Sequence, residues 1–126
     1  SMIRDLSLDY PDFLIATSEW FTFIPAREYF DEPGDHADEL ETSVMMHYHP
    51  ELVDLSEAGD GKSKKFASQM LNEKVAWVPR HWMKVTEDTG IGNPKKATAE
   101  KGKRYAEAVT AKYAQLFKEL TEEIYQ

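Results

Sequence analysis

The residues Phe13-Leu14-Ile15-Ala16-Thr17 form an unbroken apolar run behind Pro11-Asp12, and they set the sharpest limit on what this chain can become. An apolar stretch without alternation suits a strand covered on both faces, as inside a parallel sheet. Such a strand needs neighbours. The sequence offers one other candidate, Val75-Ala76-Trp77-Val78-Pro79 with His81-Trp82, which reads as a short strand or a packed loop. A self-contained α/β domain commonly builds its sheet from about five or six strands. The missing strands are therefore expected upstream or in another copy of the chain. The local pattern by itself also admits an α+β arrangement.

Helical signals surround these runs. Ile3, Leu6 and Tyr10 fall at helical spacing, so residues 3–10 read as the end of a helix leading into the first strand. Pro33-Gly34 marks a turn, after which Asp38 and Glu41 fit a variant of the capping box. Leu40, Val44 and either His47 or Tyr48 give that helix one face, and Pro50 stops it. Residues 56–65 are polar and read as an exposed loop, and Thr89-Gly90-Ile91-Gly92-Asn93-Pro94 as another turn. The closing segment, about Ala97 to Tyr125, carries the strongest helical stripe: Tyr105, Ala108, Val109, Lys112, Leu116, Leu120 and Ile124. A chain that opens on the end of a helix and then a buried strand is expected to be one portion, residues 1–126, of a larger domain. Ser1 ahead of Met2 reads as a residue left by a cleaved tag.

Composition narrows the partners. A net charge of −8, from 15 basic and 23 acidic residues, opposes attraction to nucleic acid or to an anionic membrane. No apolar run approaches the roughly 20 residues that span a bilayer. Cysteine is absent, which excludes disulfides and thiolate metal sites and fits a cytoplasmic protein.

Candidate chemistry concentrates in Asp35-His36-Ala37-Asp38-Glu39-Leu40-Glu41-Thr42-Ser43, where the turn enters the helix. His36 has the side chain that transfers protons near neutral pH. Asp38 or Glu39 has the oxygens that hold a divalent cation. The plainer reading stays open: acids at a helix start cap it, and His36 is a solvated turn residue. His47 and His49 are two apart, so on a helix they point in different directions and do not readily share a metal. Gly90-Ile91-Gly92-Asn93-Pro94-Lys95-Lys96 matches neither common phosphate-loop spacing and reads as a turn. Lys95, Lys96, Lys101, Lys103 and Arg104 read as a solvated basic face. Trp20, Trp77 and Trp82 read as core residues, with Trp20 placed to wall a pocket.

His36-Ala37-Asp38-Glu39-Leu40-Glu41-Thr42-Ser43 resembles the creatininase-family stretch H-A-G-E-x-E-T-S. Gly92-Asn93-Pro94 with Ala97-Thr98-Ala99-Glu100-Lys101-Gly102 resembles that family's second signature, a Gly-x-Pro turn running into A-T-x-E-K-G. The resemblance implies an α/β fold, here the C-terminal portion of a three-layer α/β/α architecture with a mainly parallel sheet. It implies hydrolysis of the C–N bond of a cyclic or formyl amide, with zinc, manganese or iron as divalent cofactor. Residue by residue, His36 matches the histidine that gives a proton to the leaving nitrogen, Glu39 a glutamate that ligates metal, and Trp20 a pocket aromatic. Glu41 and Thr42 match positions that orient the site. Asp38 replaces the family's usual glycine, and Glu32 stands where creatininase itself has a second pocket tryptophan, which argues against creatinine as substrate. The family's E-x-H-G-x-H and G-H-G-x-N segments, which supply most metal ligands, do not occur. The chain alone is therefore expected to be an incomplete, inactive portion that needs a homo-oligomeric partner or an N-terminal half. A non-catalytic assembly or binding module that keeps half the fold is the alternative.

Overall fold

A computed structural model describes residues 2–122, 124 and 125. The helices are α1 (Met2–Asp9), α2 (Glu39–Tyr48), α3 (Gln69–Asn72), α4 (Trp82–Val85) and α5 (Ala99–Glu119). Short 3-10 turns lie at Trp20–Thr22, Ala26–Glu28, Pro50–Leu52 and Leu55–Glu57. Ser1, Glu123 and Gln126 lie outside the described residues, and the closing helix, expected to run to about Tyr125, ends at Glu119.

The two helices that organise the chain start on side-chain caps. Asp38 precedes α2 in extended backbone and accepts the Glu41 N–H, satisfying one of the donors a helix start leaves free. Thr98 does the same for Lys101 at the start of α5. The Asp38 cap appears where the sequence places it, whereas the Thr98 cap was not read from the sequence. One detail differs from a standard capping box: Glu41 reaches back to the Ala37 N–H, not to that of Asp38.

Helices α2 and α5 pack face to face, and their closest approach is set by a missing side chain. A Cβ on Gly102 would stand 1.9 Å from the Ser43 carbonyl oxygen. Ser43, fully buried, accepts the Thr98 N–H on its hydroxyl at 3.1 Å, so one serine fixes both the start of α5 and its crossing. Beyond the crossing, Tyr105 and Val109 continue the buried face and meet Phe30 and Leu40. Tyr105 has no exposure and is ringed by Trp20, Tyr29 and Phe30 at centroid distances of 6.1, 5.4 and 5.3 Å. Its hydroxyl donates to the Phe21 and Ile24 carbonyls at 3.2 and 3.3 Å, binding the aromatic-rich segment 20–30 across α5. Burial raises the Tyr105 phenol above its ordinary pKa, so it stays a neutral donor.

The expected strands do not form. Among the described residues there is no sheet, only isolated antiparallel bridges between His36 and Ile91 and between Ser63 and Thr86. Phe13 and Leu14 stand 70% and 56% exposed, so the apolar run has neither ladder partners nor a covering layer. A buried strand exists only where neighbours take its backbone groups, and the described residues supply none. Val75 and Trp77 are likewise exposed, which corrects the reading of Trp77 as core. The closing stripe divides in the same way: Tyr105 and Val109 are buried, whereas Leu116, and Leu120 and Ile124 beyond the end of α5, lie open. Among the described residues no helix is long and apolar enough to cross a membrane.

The Gly102 contact fixes the sign of one substitution. In an exposed helix interior Gly→Ala stabilises by about 1 kcal/mol. Gly102→Ala instead drives a methyl into the Ser43 carbonyl and is expected to destabilise by about 1–3 kcal/mol, measured by denaturant unfolding.

Candidate functional site

The first signature segment enters α2 through a tight bend. Ala37 lies in the left-handed region at φ 48°, and Asp38, only 3% exposed, holds the bend from beneath. One Asp38 oxygen accepts the Gly34 N–H at 2.6 Å while the other caps α2. Gly92, at φ 134°, lies against Asp38 where a Cβ would come within 2.6 Å of that aspartate's own Cβ. This brings the 90–94 turn against the helix start. Ile91 then exchanges backbone hydrogen bonds with His36 at 2.8 and 3.1 Å. The His36 backbone is thus fixed in both directions while its ring stays about half exposed.

Two groups contact that ring. Glu41 brings a carboxylate oxygen to 3.5 Å from His36 Nδ1, and the same oxygen accepts the Ala37 N–H at 2.5 Å. The Trp82 ring lies tilted against the imidazole with centroids 4.9 Å apart. Arg80 sits over the Trp82 ring at 5.1 Å and pairs with Asp35 at 2.5 Å, tying Trp82 to the residue that precedes His36. Trp82 is therefore a neighbour of the site and not a core residue. Of the sequence-based candidates, Trp20, Glu41 and Thr42 line one open cavity of about 600 Å³ together with Met45, Asp54 and Asp88. His36 does not line this cavity. It stands at the rim, joined through Glu41 and its neighbour Ala37, which do.

Glu39 points the other way. It is fully buried, with one carboxylate oxygen accepting the Glu32 N–H at 2.6 Å and the other 2.5 Å from Lys101 Nζ. Lys101 also donates to Asp31 at 2.8 Å and to the Lys96 carbonyl at 3.1 Å, which uses all three ammonium protons. Its neighbour Glu32 takes a further ion pair from Lys96 at 2.7 Å and an amide donor from Asn93 at 3.0 Å. The basic cluster read as a solvated face is thus largely a set of ties: Lys95 pairs with Asp60, and Arg104 covers the Tyr29 ring. Lys101 is the buried carboxylate's partner, which the sequence reading placed on a solvated face. Its signal was present, since the α5 stripe carried back four residues from Tyr105 lands on it.

The donor set does not fit a metal centre. A divalent ion needs three or so convergent oxygen or nitrogen ligands. Among the described residues no three His, Asp or Glu side chains converge in that way, and both Glu39 oxygens are already engaged within the protein. His47 packs on Tyr48 with ring centroids 4.6 Å apart, and His49 faces Glu51 at 3.2 Å.

Comparison with known proteins agrees with this architecture. The family profile described as creatininase, creatinine amidohydrolase, matches residues 2–117, and the chain belongs to that family. It superposes at a TM-score of 0.93 and 61% identity on a crystal structure from Bacteroides fragilis NCTC 9343 described as "Putative creatinine amidohydrolase". That match covers 99% of this chain and 50% of the relative's chain, so the present chain spans about half of the relative's length. Comparison with curated proteins finds no match.

The Lys101 network titrates at both ends. The hydrogen bond from Lys101 holds Asp31 below the ordinary carboxylate range, and those to Asp31 and Glu39 raise Lys101 above the ordinary lysine range. A depressed Asp31 stabilises the fold above its unfolded pKa of about 3.9, and that stability is lost as pH falls through the folded value. A raised Lys101 stabilises it below about 10.4, and that stability is lost as pH rises through the folded value. Thermal melts are expected to show both limbs. The acid limb is shallow because Asp31 is exposed, and Lys101→Met reduces the alkaline one.

Proposed function

We propose that this chain supplies the proton-transfer side of an amide-hydrolysing site of the creatininase type. The observation that carries the reading is His36 Nδ1 at 3.5 Å from Glu41, on the rim of a cavity lined by Trp20 and Thr42. An ionised carboxylate only accepts hydrogen bonds, so Glu41 favours the proton on Nδ1 and leaves Nε2 to exchange protons with substrate. When an amide is hydrolysed the nitrogen must be protonated to leave, and His36 is the group of suitable chemistry at this rim. Trp20 offers an apolar wall for a small cyclic or formyl amide, and Thr42 and Asp88 offer polar contacts beside it.

The zinc, manganese or iron of the family finds no ligand set among the described residues. Its ligands, and the part of the site that activates water, are assigned to polypeptide outside this chain. The length of the crystallised relative supports that assignment, as does the uncovered run at Phe13 and Leu14. The missing layer is either another half of the fold or a second copy of the chain. On the same surface rests the second reading, a non-catalytic assembly module, which needs the apolar face but not the His36–Glu41 pair.

The discriminating experiment is hydrolysis of cyclic and formyl amides by the assembled protein, with the counterpart of the relative's other half supplied. His36→Ala is expected to lower kcat by about 10²–10⁴-fold, with Glu41→Gln lowering it less. Hydrolysis at an unchanged rate in His36→Ala would remove the histidine from the mechanism. An assembled, metal-loaded protein without hydrolysis would favour the assembly reading.

A further inference from the structure

We infer that Lys101 and Glu39 act as a positioning pair for His36, and that Glu39 serves this anchor and not a metal. The inference follows a continuous chain of contacts. Lys101 Nζ neutralises the buried Glu39 at 2.5 Å, and the other Glu39 oxygen holds the Glu32 N–H at 2.6 Å. The Glu32 side chain takes Asn93 at 3.0 Å and Lys96 at 2.7 Å, fixing the 90–96 turn. Ile91 in that turn carries the His36 backbone. Asp31, on the same stretch, is a second partner of Lys101 at 2.8 Å. The segment bearing His36 is thus held at Asp31 and Glu32, which Lys101 and Glu39 fix directly, and again at Ile91, in a turn that Glu32 braces together with Asp38 and the Gly61 carbonyl.

Without that ammonium the Glu39 charge stands buried and uncompensated. A carboxylate in that position must recruit water or take up a proton, and either change disturbs the oxygen that holds Glu32. The disturbance then reaches His36 although no atom of Lys101 touches it. Metal ligation by Glu39 would require breaking the same bonds, which sets the two roles against each other.

The test reads His36 geometry directly, so it is independent of whether the assembled protein hydrolyses amides. In protein labelled at histidine, Lys101→Met and Glu39→Gln are each expected to shift the His36 ring signals and leave those of His47 and His49 in place. Exchange of the Ile91 amide should quicken on the order of tenfold. Val109→Ala, which loosens the core without touching the pair, serves as the control for general destabilisation. Lys101→Arg, which keeps the charge, should move the signals less, and the Glu39→Gln/Lys101→Met double variant less than either single change. Should Lys101→Met fail to fold, those two variants decide the matter. Unchanged His36 signals in Glu39→Gln, or changes no greater than in Val109→Ala, would overturn the inference. So would a rise in melting temperature on adding zinc or manganese that survives in Lys101→Met and vanishes in Glu39→Gln.

Discussion

A lysine ammonium set against a fully buried carboxylate governs the geometry of this chain. Glu39 has no solvent exposure, and a charge in that position is tolerated only because Lys101 and the Glu32 N–H occupy its two oxygens. Two helices joined only by apolar faces have several near-equivalent ways to slide past each other. The ion pair and the Gly102–Ser43 approach select one of them, because both are point contacts that no shifted register reproduces. The site inherits its shape from that choice. Asp31 and Glu32 are tied to it directly, and Asn93 through the Glu32 side chain.

The helical period then sorts the first signature into two sets. Asp38, Glu39, Leu40 and Ser43 face inward and are buried, and they cap, pair and pack. Ala37, Glu41 and Thr42 face the cavity, with His36 at its edge. One short stretch therefore holds the framework and the cavity-facing side chains together, on roughly opposite faces of one helix. The second signature contributes framework: Thr98 caps, Lys101 neutralises and Gly102 makes room.

Much of this was legible from residue types and spacing. Asp38 and Pro50 bracket α2 as expected, and Tyr105 and Val109 mark the face of α5 that is covered. That Trp20, Glu41 and Thr42 share one cavity appears only in the structure, since nothing local links residue 20 to residue 42. Lys101 was missed because a lysine among lysines reads as solvent-facing, and only a partner 62 positions away makes it internal. The strand at Phe13–Thr17 shows the opposite failure. Its composition suits a buried strand, but a strand is defined by its neighbours, and the described residues contain none for it.

The fit between Gly102 and Ser43 also bears on how such chains can be recombined. The two residues lie on separate signatures, yet a side chain added to one is a collision with the backbone of the other. A Cβ on Gly92 would likewise collide with the Cβ of Asp38, at 2.6 Å. In a chimaera of two divergent relatives, residues 30–44 and 92–106 therefore have to descend from the same parent. The exposed stretch 62–83 between them holds no such close approach, and an exchange there has to retain the ties of Arg80 to Asp35 and of Trp82 to His36.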